Sequence, residues 1–321
     1  MLTITEMNTT QRIKELAKAV GFHAIGVTRF EIPKEAEKRF LRWRDKGFSG
    51  DMKFIQRYEE RKVQFLEECE GAKSVIVLGV NYNQEQDQSE APSATSGKVA
   101  RYAWGEDYHT VIRKRHEILI EQLKKDIDSS ATYISSIDTR PLFERELAQQ
   151  AGLGFIGKQN QLLSLDYGPW LFLSEIITDL ELVSDKEHEG SCGTCRLCID
   201  HCPTDAIVAE RELDARKCIS YLTIEHPGDI PNEISGKMGN WFFGCDDCLT
   251  ICPYTAKSKE TNWREFKKEK NESNWIDMKG ILELKSNKDF KQKFGHRALS
   301  RINKNRAIRN AKIVLNNGVK S

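Results

Sequence analysis

The apolar residues near the start of the chain recur at helical spacing. Four of them, from Ile13 to Val20, share one face of a helix over residues 8–20, which a threonine can cap and Gly21 ends. Further on, apolar runs predict strands at residues 22–27, 74–80, 132–137 and 170–177, and amphipathic stretches predict helices around residues 34–46, 108–126 and 141–150. This alternation predicts an α/β or α+β first domain of about 180 residues.

Two other stretches complete this organisation. Residues 84–98 are polar and rich in turn-forming residues, which predicts a surface loop within the first domain. Residues 297–318 predict two short helices, which cannot bury their own apolar face and must dock on another part of the protein. The chain therefore divides into a first domain, a cysteine-rich module and a basic helical segment, with bounds at residues 1–183, 184–256 and 257–321.

Charge is distributed unevenly along the chain. The 49 Lys and Arg residues against 48 Asp and Glu leave a net charge of +1, which by itself gives no reason to expect a polyanionic partner. Residues 254–321, however, hold 18 Lys or Arg against 7 Asp or Glu, so this tail carries +11 and the rest of the chain −10. The protein has an acidic body and a basic tail.

The cysteines indicate the compartment and the chemistry. No run approaches the roughly 18 apolar residues of a membrane helix, and the N-terminus lacks a signal core and a twin-arginine pair, so we expect a cytoplasmic protein without a membrane partner. Cytoplasmic thiols stay reduced, and eight of the nine cysteines lie within 61 residues. These eight are predicted metal or redox ligands, whereas Cys69 is predicted to be a small buried apolar residue.

The spacing of the eight cysteines is typical of two 4Fe-4S clusters. One run has the form C-x2-C-x2-C-x3-C-P, a second repeats its C-x2-C-x3-C-P half, and Cys218 stands between them. In such modules the fourth cysteine of each run binds the other cluster. The predicted ligand sets are Cys192, Cys195, Cys198 and Cys252 for one cluster, and Cys202, Cys218, Cys245 and Cys248 for the other.

Zinc is the alternative for these cysteines, because paired C-x2-C units also form closed sites of four thiolates. Zinc ribbons rarely have three cysteines at two-residue intervals, and they do not require the proline that follows Cys202 and Cys252. The iron–sulfur interpretation is therefore preferred. A module of this kind transfers single electrons, so a closed-shell substrate is reduced in two steps.

Two segments of the first domain contain candidate functional residues. A predicted strand runs into Asp138, and a helix is expected to begin at Pro141, a junction where α/β proteins gather ligand-binding groups. Asp138 is either a proton donor in a pocket or a helix-capping aspartate, and the residues alone favour the cap. The sequence RYAWGEDYH, residues 101–109, suits a large planar or anionic ligand, but an aromatic core strand has the same composition.

With these motifs in hand, the chain resembles the epoxyqueuosine reductase family, cobalamin-dependent iron–sulfur enzymes of the last step of queuosine synthesis in tRNA. The resemblance rests on RYAWGEDYH, on DTRPLFERELAQQAGLGFIGKQNQLL (residues 138–163) and on the eight cysteines, and it spans nearly the whole chain. It implies that epoxyqueuosine at the wobble position loses its epoxide oxygen as water, with two electrons and two protons consumed. It also implies a cobalamin-binding catalytic first domain, a ferredoxin-like module and a HEAT-like tRNA-binding tail, shorter here than in longer members.

The resemblance also assigns roles to residues. Asp138 would be the proton donor, and protonating an oxygen near neutral pH would require a raised pKa, which an apolar pocket could supply. Cobalamin would be bound base-off, without a histidine ligand to cobalt. Its predicted contacts are Arg61, Arg101, Tyr108, His109, Asp138, Lys158, Gln161, Ser220, Asp246 and Asp247. A monomer is expected, with a low-potential electron donor of the flavodoxin or ferredoxin type.

The tail then has a proposed role. Nine Lys or Arg residues against one acid between Lys288 and Lys312 suit an RNA backbone, although a solvated surface helix has the same composition. Two other functions stay open: a cobalamin enzyme acting on a small molecule, as in the related reductive dehalogenases, and a non-enzymatic electron carrier. A steep salt dependence of tRNA binding would distinguish the first of these from a tRNA-modifying enzyme.

Overall fold

The computed structural model describes residues 4–84, 93, 95–267 and 274–318. The α-helices in these residues are α1 (Ile4–Val20), α2 (Lys34–Asp45), α3 (Lys53–Gln56), α4 (Tyr58–Glu68), α5 (Tyr108–Asp126), α6 (Glu144–Gln150), α7 (Leu197–Asp200), α8 (Ile219–Ile224), α9 (Asn232–Ser235), α10 (Asp247–Thr250), α11 (Met278–Leu282), α12 (Asn287–Phe294) and α13 (Lys304–Gly318). Short 3-10 helices lie at Arg101–Ala103, Ala215–Lys217, Pro253–Lys257, Arg264–Phe266 and Ala298–Arg301. No helix in these ranges is both long enough and apolar enough to span a bilayer.

The strands form one main sheet and several small ones. They are β1 (Ala24–Arg29), β2 (Ser74–Asn81), β3 (Ser96–Val99), β4 (Tyr133–Ser136), β5 (Phe155–Ile156), β6 (Leu162–Leu163), β7 (Leu171–Thr178), β8 (Ile207–Ala209), β9 (Glu212–Leu213), β10 (Trp241–Phe243) and β11 (Trp275–Asp277). The main sheet has the order β1-β2-β7-β4, and all its neighbouring strands are antiparallel. The first domain is therefore α+β, the second of the two predicted classes.

The main sheet is covered on both faces. All eight residues of β2 are buried, and successive side chains point to opposite faces. Ile76, Leu78 and Val80 pack in one core with residues of α1 and α5, whereas Val75 and Val77 pack in another with residues of α4 and α6. A continuous run of β-branched and apolar residues is what a central strand buried on both faces requires.

Most elements predicted from the pattern are present. The four predicted strands correspond to β1, β2, β4 and β7, and the predicted helices around residues 34–46 and 108–126 correspond to α2 and α5. The helix expected from Pro141 begins instead at Glu144. The reason is local, because the Leu142 amide donates to the Arg140 carbonyl in a turn that precedes the helix.

The loop predicted at residues 84–98 is partly wrong. Ser96–Val99 forms β3, which pairs in parallel with β10 and antiparallel with β11, so one small sheet joins the three parts of the chain. Residues 85–92 and 94 of the predicted loop lie outside the described residues. The sequence SGKV has a single large apolar residue, and its strand partners lie far along the chain, so no local pattern indicates this strand.

The tail docks through α11 and α13 rather than through two similar helices. The first of the two predicted helices is the 3-10 turn Ala298–Arg301, and only α13 is a full α-helix. Ala307, Ala311 and Val314 of α13 are fully buried and pack in one core with Phe242 and Phe243 of β10. The expectation that this segment must dock on another part of the protein is confirmed.

Three of the nine basic residues between Lys288 and Lys312 donate to backbone carbonyls outside the tail. Arg297 donates to the Ala103 carbonyl at 2.9 Å, and Arg306 donates to the Ile224 carbonyl at 2.7 Å. Arg309 donates to the Leu222 carbonyl at 2.6 Å, and burial lowers the pKa of its guanidinium to about 10, assisted by the charge of Arg306. These arginines attach the tail to the first domain and to the module, so the basic surface open to a partner is smaller than the sequence suggested.

Candidate active site

The fold brings the clustered cysteines close to one another. Burial raises the pKa of the Cys252 thiol, and the nearby sulfurs of Cys192, Cys198 and Cys195 raise it further. Burial likewise raises the pKa of the Cys248 thiol, with further increases from Cys218, Cys202 and Cys198 among its neighbours. The neighbours of Cys252 all belong to its predicted set, whereas Cys248 also lies near Cys198 of the other set, so the division into two sets stays a prediction.

The two predicted sets differ in their contact with the cavity. Cys192 and Cys195 are partly exposed, and the adjacent Leu197 is 46% exposed. Cys245 of the other set lines the large cavity described below, and burial strongly raises the pKa of its thiol. In the described parts of the chain, no three His, Cys, Asp or Glu side chains converge on a point as ligands of a single ion do. The four thiolates of a cubane bind four separate iron atoms.

A cavity of about 640 Å³ lies between the first domain and the module. Six of the ten predicted cofactor contacts line it: Arg61, Tyr108, Asp138, Gln161, Ser220 and Asp246. The lining also includes residues that the sequence did not single out, among them Phe40, Tyr58, Tyr102, Arg140, Phe143, Glu144, Arg145 and Leu249. Its volume falls within the range of about 300–1,000 Å³ that is usual for cofactor sites, and its wall combines aromatic and charged side chains.

Asp138 stands on the cavity wall in a left-handed backbone conformation, with φ of 53°. A non-glycine residue in this region needs support from its surroundings. The Asp138 amide donates to Glu144 Oε1 at 2.9 Å, and Arg61 Nη2 donates to the next carbonyl, that of Thr139, at 2.5 Å. Arg61 therefore supports the Asp138 turn as well as lining the cavity.

The carboxylate of Asp138 is held by the start of α5. Tyr108 Oη donates to Asp138 Oδ2 at 2.7 Å, and His109 Nε2 lies 3.7 Å from the same oxygen. The Tyr108 ring stacks on Phe172 with centroids 4.5 Å apart, which fixes the hydroxyl in place. Asp107 caps α5 by accepting from the His109 amide, and its Oδ1 lies 2.8 Å from His109 Nδ1.

These contacts determine where protons reside. Burial lowers the pKa of His109, but Asp107 and Asp138 outweigh it and raise this pKa to about 9, so the imidazole is charged at neutral pH. For Asp138, burial acts to raise the pKa, but the interactions with His109 and Tyr108 outweigh it and lower the pKa below its usual value. The raised pKa expected for Asp138 is therefore wrong for this structure, because a histidine and a tyrosine stabilise the carboxylate.

Two acids near Asp138, Glu144 and Glu175, have raised rather than lowered pKa values. Burial and the charge of Asp138 raise the pKa of Glu144 to about 8. Glu175 on β7 is fully buried, and its two oxygens lack hydrogen-bond partners among the residues the structure describes. Burial and the neighbouring Glu144 raise its pKa well above the usual value. The sequence signalled Glu144 only as an acid in the first turn of a helix, a common position with no functional meaning.

Four predicted contacts lie elsewhere than on the large cavity wall. His109 acts through Asp138, as described above. Arg101 is buried, with its guanidinium 4.0 Å from the centre of the Trp170 ring, and its amide donates to Asp246 Oδ2 at 2.7 Å. Asp247 accepts from Trp241 Nε1 at 3.1 Å. Lys158 Nζ donates to the Gly193 carbonyl at 2.8 Å, beside the first cysteine of the module.

Arg101, Asp246 and Asp247 also line a smaller cavity of about 170 Å³. Asp246 faces both cavities. Burial raises the pKa of Asp246 to about 6, although Arg101 opposes this increase. Arg101 and Asp247 thus lie behind the large cavity, next to residues that form its wall.

Comparison with known proteins agrees with this arrangement. A cysteine module beside a cavity with a held aspartate defines an iron–sulfur oxidoreductase, and residues 191–255 match the family described as a 4Fe-4S double cluster binding domain. Residues 63–139 match the family described as epoxyqueuosine reductase QueG, DUF1730.

Whole-chain relatives identify the family. The chain is 34% identical over 316 residues to the epoxyqueuosine reductase of Atelocyanobacterium thalassa, covering 97% of this chain and 99% of that one. It is 37% identical over 257 residues to that of Leadbetterella byssophila, covering 80% and 83%. The protein belongs to the epoxyqueuosine reductase family and is an oxidoreductase, so the alternative of a non-enzymatic electron carrier is wrong.

Solved structures have the same fold. An epoxyqueuosine reductase solved with an epoxyqueuosine-modified tRNA-Tyr stem loop has a TM-score of 0.86 at 30% identity, covering 97% of this chain and 82% of that one. The Bacillus subtilis enzyme, solved with the loop of its catalytic aspartate swung out of the active site, has a TM-score of 0.84 at the same identity and coverage.

Proposed function

We propose that this protein reduces epoxyqueuosine at the wobble position of tRNA to queuosine, removing the epoxide oxygen as water. The observation that carries the proposal is that Asp138 and Cys245 line the same cavity. Asp138 is an acid next to the protonated His109, and Cys245 belongs to a set of four thiols spaced for a cubane. Protons and single electrons can therefore reach one bound substrate, as reductive removal of an epoxide oxygen requires.

Base-off cobalamin is the cofactor we propose for the large cavity. The volume and mixed lining of this cavity suit a large ring with amide side chains. Arg61, Gln161, Ser220 and Asp246 supply polar groups for those amides. Cobalamin, when bound, supplies a nucleophilic cobalt centre that can accept single electrons. Arg101 and Asp247 contribute indirectly in this proposal, by positioning Asp246 and Trp241.

The residues of this chain would handle the protons and hold the substrate. Tyr108 and His109 orient the Asp138 carboxyl toward the cavity, and Asp138 donates a proton to the epoxide oxygen as its bond to carbon breaks. The His109 imidazolium, 3.7 Å from Asp138 Oδ2, balances the carboxylate that remains after donation.

Electrons would enter at the outer cluster and leave at the inner one. The set Cys192, Cys195, Cys198 and Cys252 includes two partly exposed thiols beside the exposed Leu197, whereas the set with Cys245 adjoins the cavity. We propose that a low-potential donor of the flavodoxin or ferredoxin type reduces the outer cluster. The remaining expectations, a monomer and a cytoplasmic location, stay predictions.

The tail would bind the tRNA. Lys288, Lys291 and Lys293 on α12 are exposed, in contrast to the arginines that attach the tail to the first domain and to the module. Arg301 pairs with Glu225 at 3.0 Å, its side chain is 58% exposed, and its charge is close enough to act on the pKa of Asp138. The tail therefore brings positive charge near Asp138, which supports a role in holding the anticodon backbone. Its relation to a HEAT-like repeat remains part of this proposal.

Replacing Lys288, Lys291 and Lys293 together by alanine is expected to weaken tRNA binding. Each lost phosphate contact reduces the slope of log K against log salt by about 0.7–0.9, so the slope should fall by about 2 if most of the three bind phosphate. Fluorescence anisotropy over a salt series measures this slope. The matched control replaces Lys114, Lys124 and Lys125, exposed lysines of α5, by alanine. Equal slopes for the two triple variants would exclude α12 from the tRNA interface.

The proposed function is tested with the full chain reconstituted anaerobically with iron, sulfide and cobalamin. Metal analysis should find about eight irons and one cobalt per chain. With a low-potential reductant, the protein should convert epoxyqueuosine in tRNA to queuosine, measured by mass spectrometry of the digested nucleosides. A fully loaded protein that leaves epoxyqueuosine unchanged would refute the proposal.

A further inference from the structure

Reduction of an epoxide to an alkene consumes two electrons and two protons and releases one water. An acid that donates to the epoxide oxygen must hold a proton when the substrate arrives. In this structure Asp138 does not meet that condition, because Tyr108 and His109 stabilise its ionised form. The proton for the first step is therefore held by a neighbouring group, and the two neighbours that hold one at neutral pH are His109 and Glu144.

We propose that Asp138 and Glu144 share one proton, which resides on Glu144 in the free enzyme and passes to Asp138 for opening of the epoxide. This inference rests on the proposed function and adds a positioning residue to it. Both side chains line the large cavity, and Glu144 Oε1 accepts the Asp138 amide at 2.9 Å. The other oxygen, Oε2, is then left to carry the proton.

The surroundings favour a neutral Glu144. Glu144 contacts the Asp138 backbone, and Glu175 on β7 is close enough for Glu144 to raise its pKa. Glu175 is a fully buried carboxyl whose oxygens lack hydrogen-bond partners within the described residues. Two carboxyls of a close pair do not ionise together, because each charge opposes the other and burial strengthens the repulsion. The cations near this group are Arg145 on α6 and His109 on α5, and their combined effect is smaller than that of burial and Asp138.

The transfer balances simply. The Glu144 O–H bond breaks as Asp138 gains a proton, and Asp138 passes that proton to the oxygen as the first C–O bond of the epoxide breaks. The two electrons come from the low-potential donor through the clusters. Glu144 and Asp138 must take up a proton from solvent before the oxygen leaves as water, since a second proton is consumed.

Infrared difference spectroscopy on the purified holoenzyme tests where the proton resides, without turnover. The wild-type protein should lose a protonated-carboxyl band as pH rises through about 8, because Glu144 is neutral below that pKa. Glu144→Gln should abolish this transition, while the band of Glu175 should persist to higher pH. A wild-type protein with no carboxyl titrating in this range, or a transition that survives in E144Q, would overturn the proposal.

Two substitutions at position 144 separate proton storage from geometry. Glutamine keeps an oxygen for the Asp138 amide but has no transferable proton, whereas Glu144→Asp keeps the proton and shortens the reach. We expect kcat to fall about 10- to 100-fold in E144Q and less in E144D, with unchanged tRNA affinity. We expect wild-type kcat to decrease above pH 8, where Glu144 loses its proton, and this decrease should be absent in E144Q. A purely structural role predicts the reverse order, with E144Q the more active variant, and would overturn the proposal.

Glu117→Gln, an exposed substitution on α5, is the matched control and should retain wild-type kcat at every pH. The failure of this inference is distinguishable from that of the proposed function. If the wild-type enzyme forms queuosine and E144Q matches it, only the shared proton is refuted. If the wild-type enzyme forms no queuosine, the proposed function fails, whereas the infrared titration still decides where the proton resides.

Discussion

Asp138→Asn is expected to lower kcat for queuosine formation by at least about 100-fold, because an amide cannot donate a proton to the epoxide oxygen and general acid catalysis contributes about 10²–10⁴-fold. The asparagine keeps an oxygen that can accept from Tyr108 Oη, and asparagine tolerates the left-handed backbone of this position. The fold and the cavity should therefore be preserved. Single-turnover kinetics with excess enzyme, which isolate the chemical step from tRNA release, measure the effect.

Asp45→Asn provides the control for this variant. Asp45 ends α2, its side chain is 68% exposed, and its interaction with Arg44 is a surface ion pair of small energetic value. Its kcat should equal that of the wild type. Both variants should bind tRNA with wild-type affinity and retain the cluster absorption. Turnover by Asp138→Asn at the wild-type rate would remove Asp138 from the reaction and leave His109, the protonated imidazole 3.7 Å from Asp138 Oδ2, as the donor to test.

Cys218→Ser is expected to abolish turnover and to reduce the iron content from about eight to about four per chain, because the inner cluster loses a ligand. Cys218 is the most informative of the eight cysteines, since it lies outside both compact runs and its assignment rests on the count of thiolates. Desolvation raises the pKa of its thiol, and the nearby Cys202 of the same predicted set raises it further. Iron analysis and electron paramagnetic resonance of the reduced protein measure the outcome.

Cys195→Ser and Cys69→Ala complete the test. Cys195→Ser should remove the outer cluster and leave the inner cluster detectable by its resonance. Cys69 is 3% exposed and lies in a core of the first domain beside α4, outside the cysteine module. Cys69→Ala should therefore keep all the iron. Full iron in Cys218→Ser would contradict the assignment of Cys218 as a cluster ligand, and tetrahedral zinc in the wild-type protein would contradict the iron–sulfur module altogether.

Local sequence patterns predict the parts of this protein that depend on nearby residues. The continuous apolar run SVIVLGV predicts the strand β2, and all residues of this strand are buried in the structure. The periodic apolar face of residues 108–126 predicts the helix α5. The cysteine spacing predicts two groups of four, and the fold brings cysteines of both runs close together. Resemblance to a known family added Asp138, which the residues alone would have left as a helix cap.

Other features depend on distant parts of the chain and have no local signature. The strand β3 forms because β10 and β11 provide its partners, and Arg297, Arg306 and Arg309 bind carbonyls that only docking brings within reach. The sequence alone therefore overestimates how many of the basic residues between Lys288 and Lys312 are available to bind RNA.

The protonation states illustrate this division most clearly. Composition identifies the acids, but the pKa of each depends on burial and on charges from other elements. Asp138 meets Tyr108 and His109 from α5 and ionises readily, whereas Glu144, six residues later, faces Asp138 and Glu175 and keeps its proton. Ligand type, spacing and helix periodicity were thus encoded within short stretches of chain. Which acid carries the proton, and which cluster adjoins the cavity, was decided by long-range packing, because desolvation and electrostatic interactions act through space rather than along the sequence.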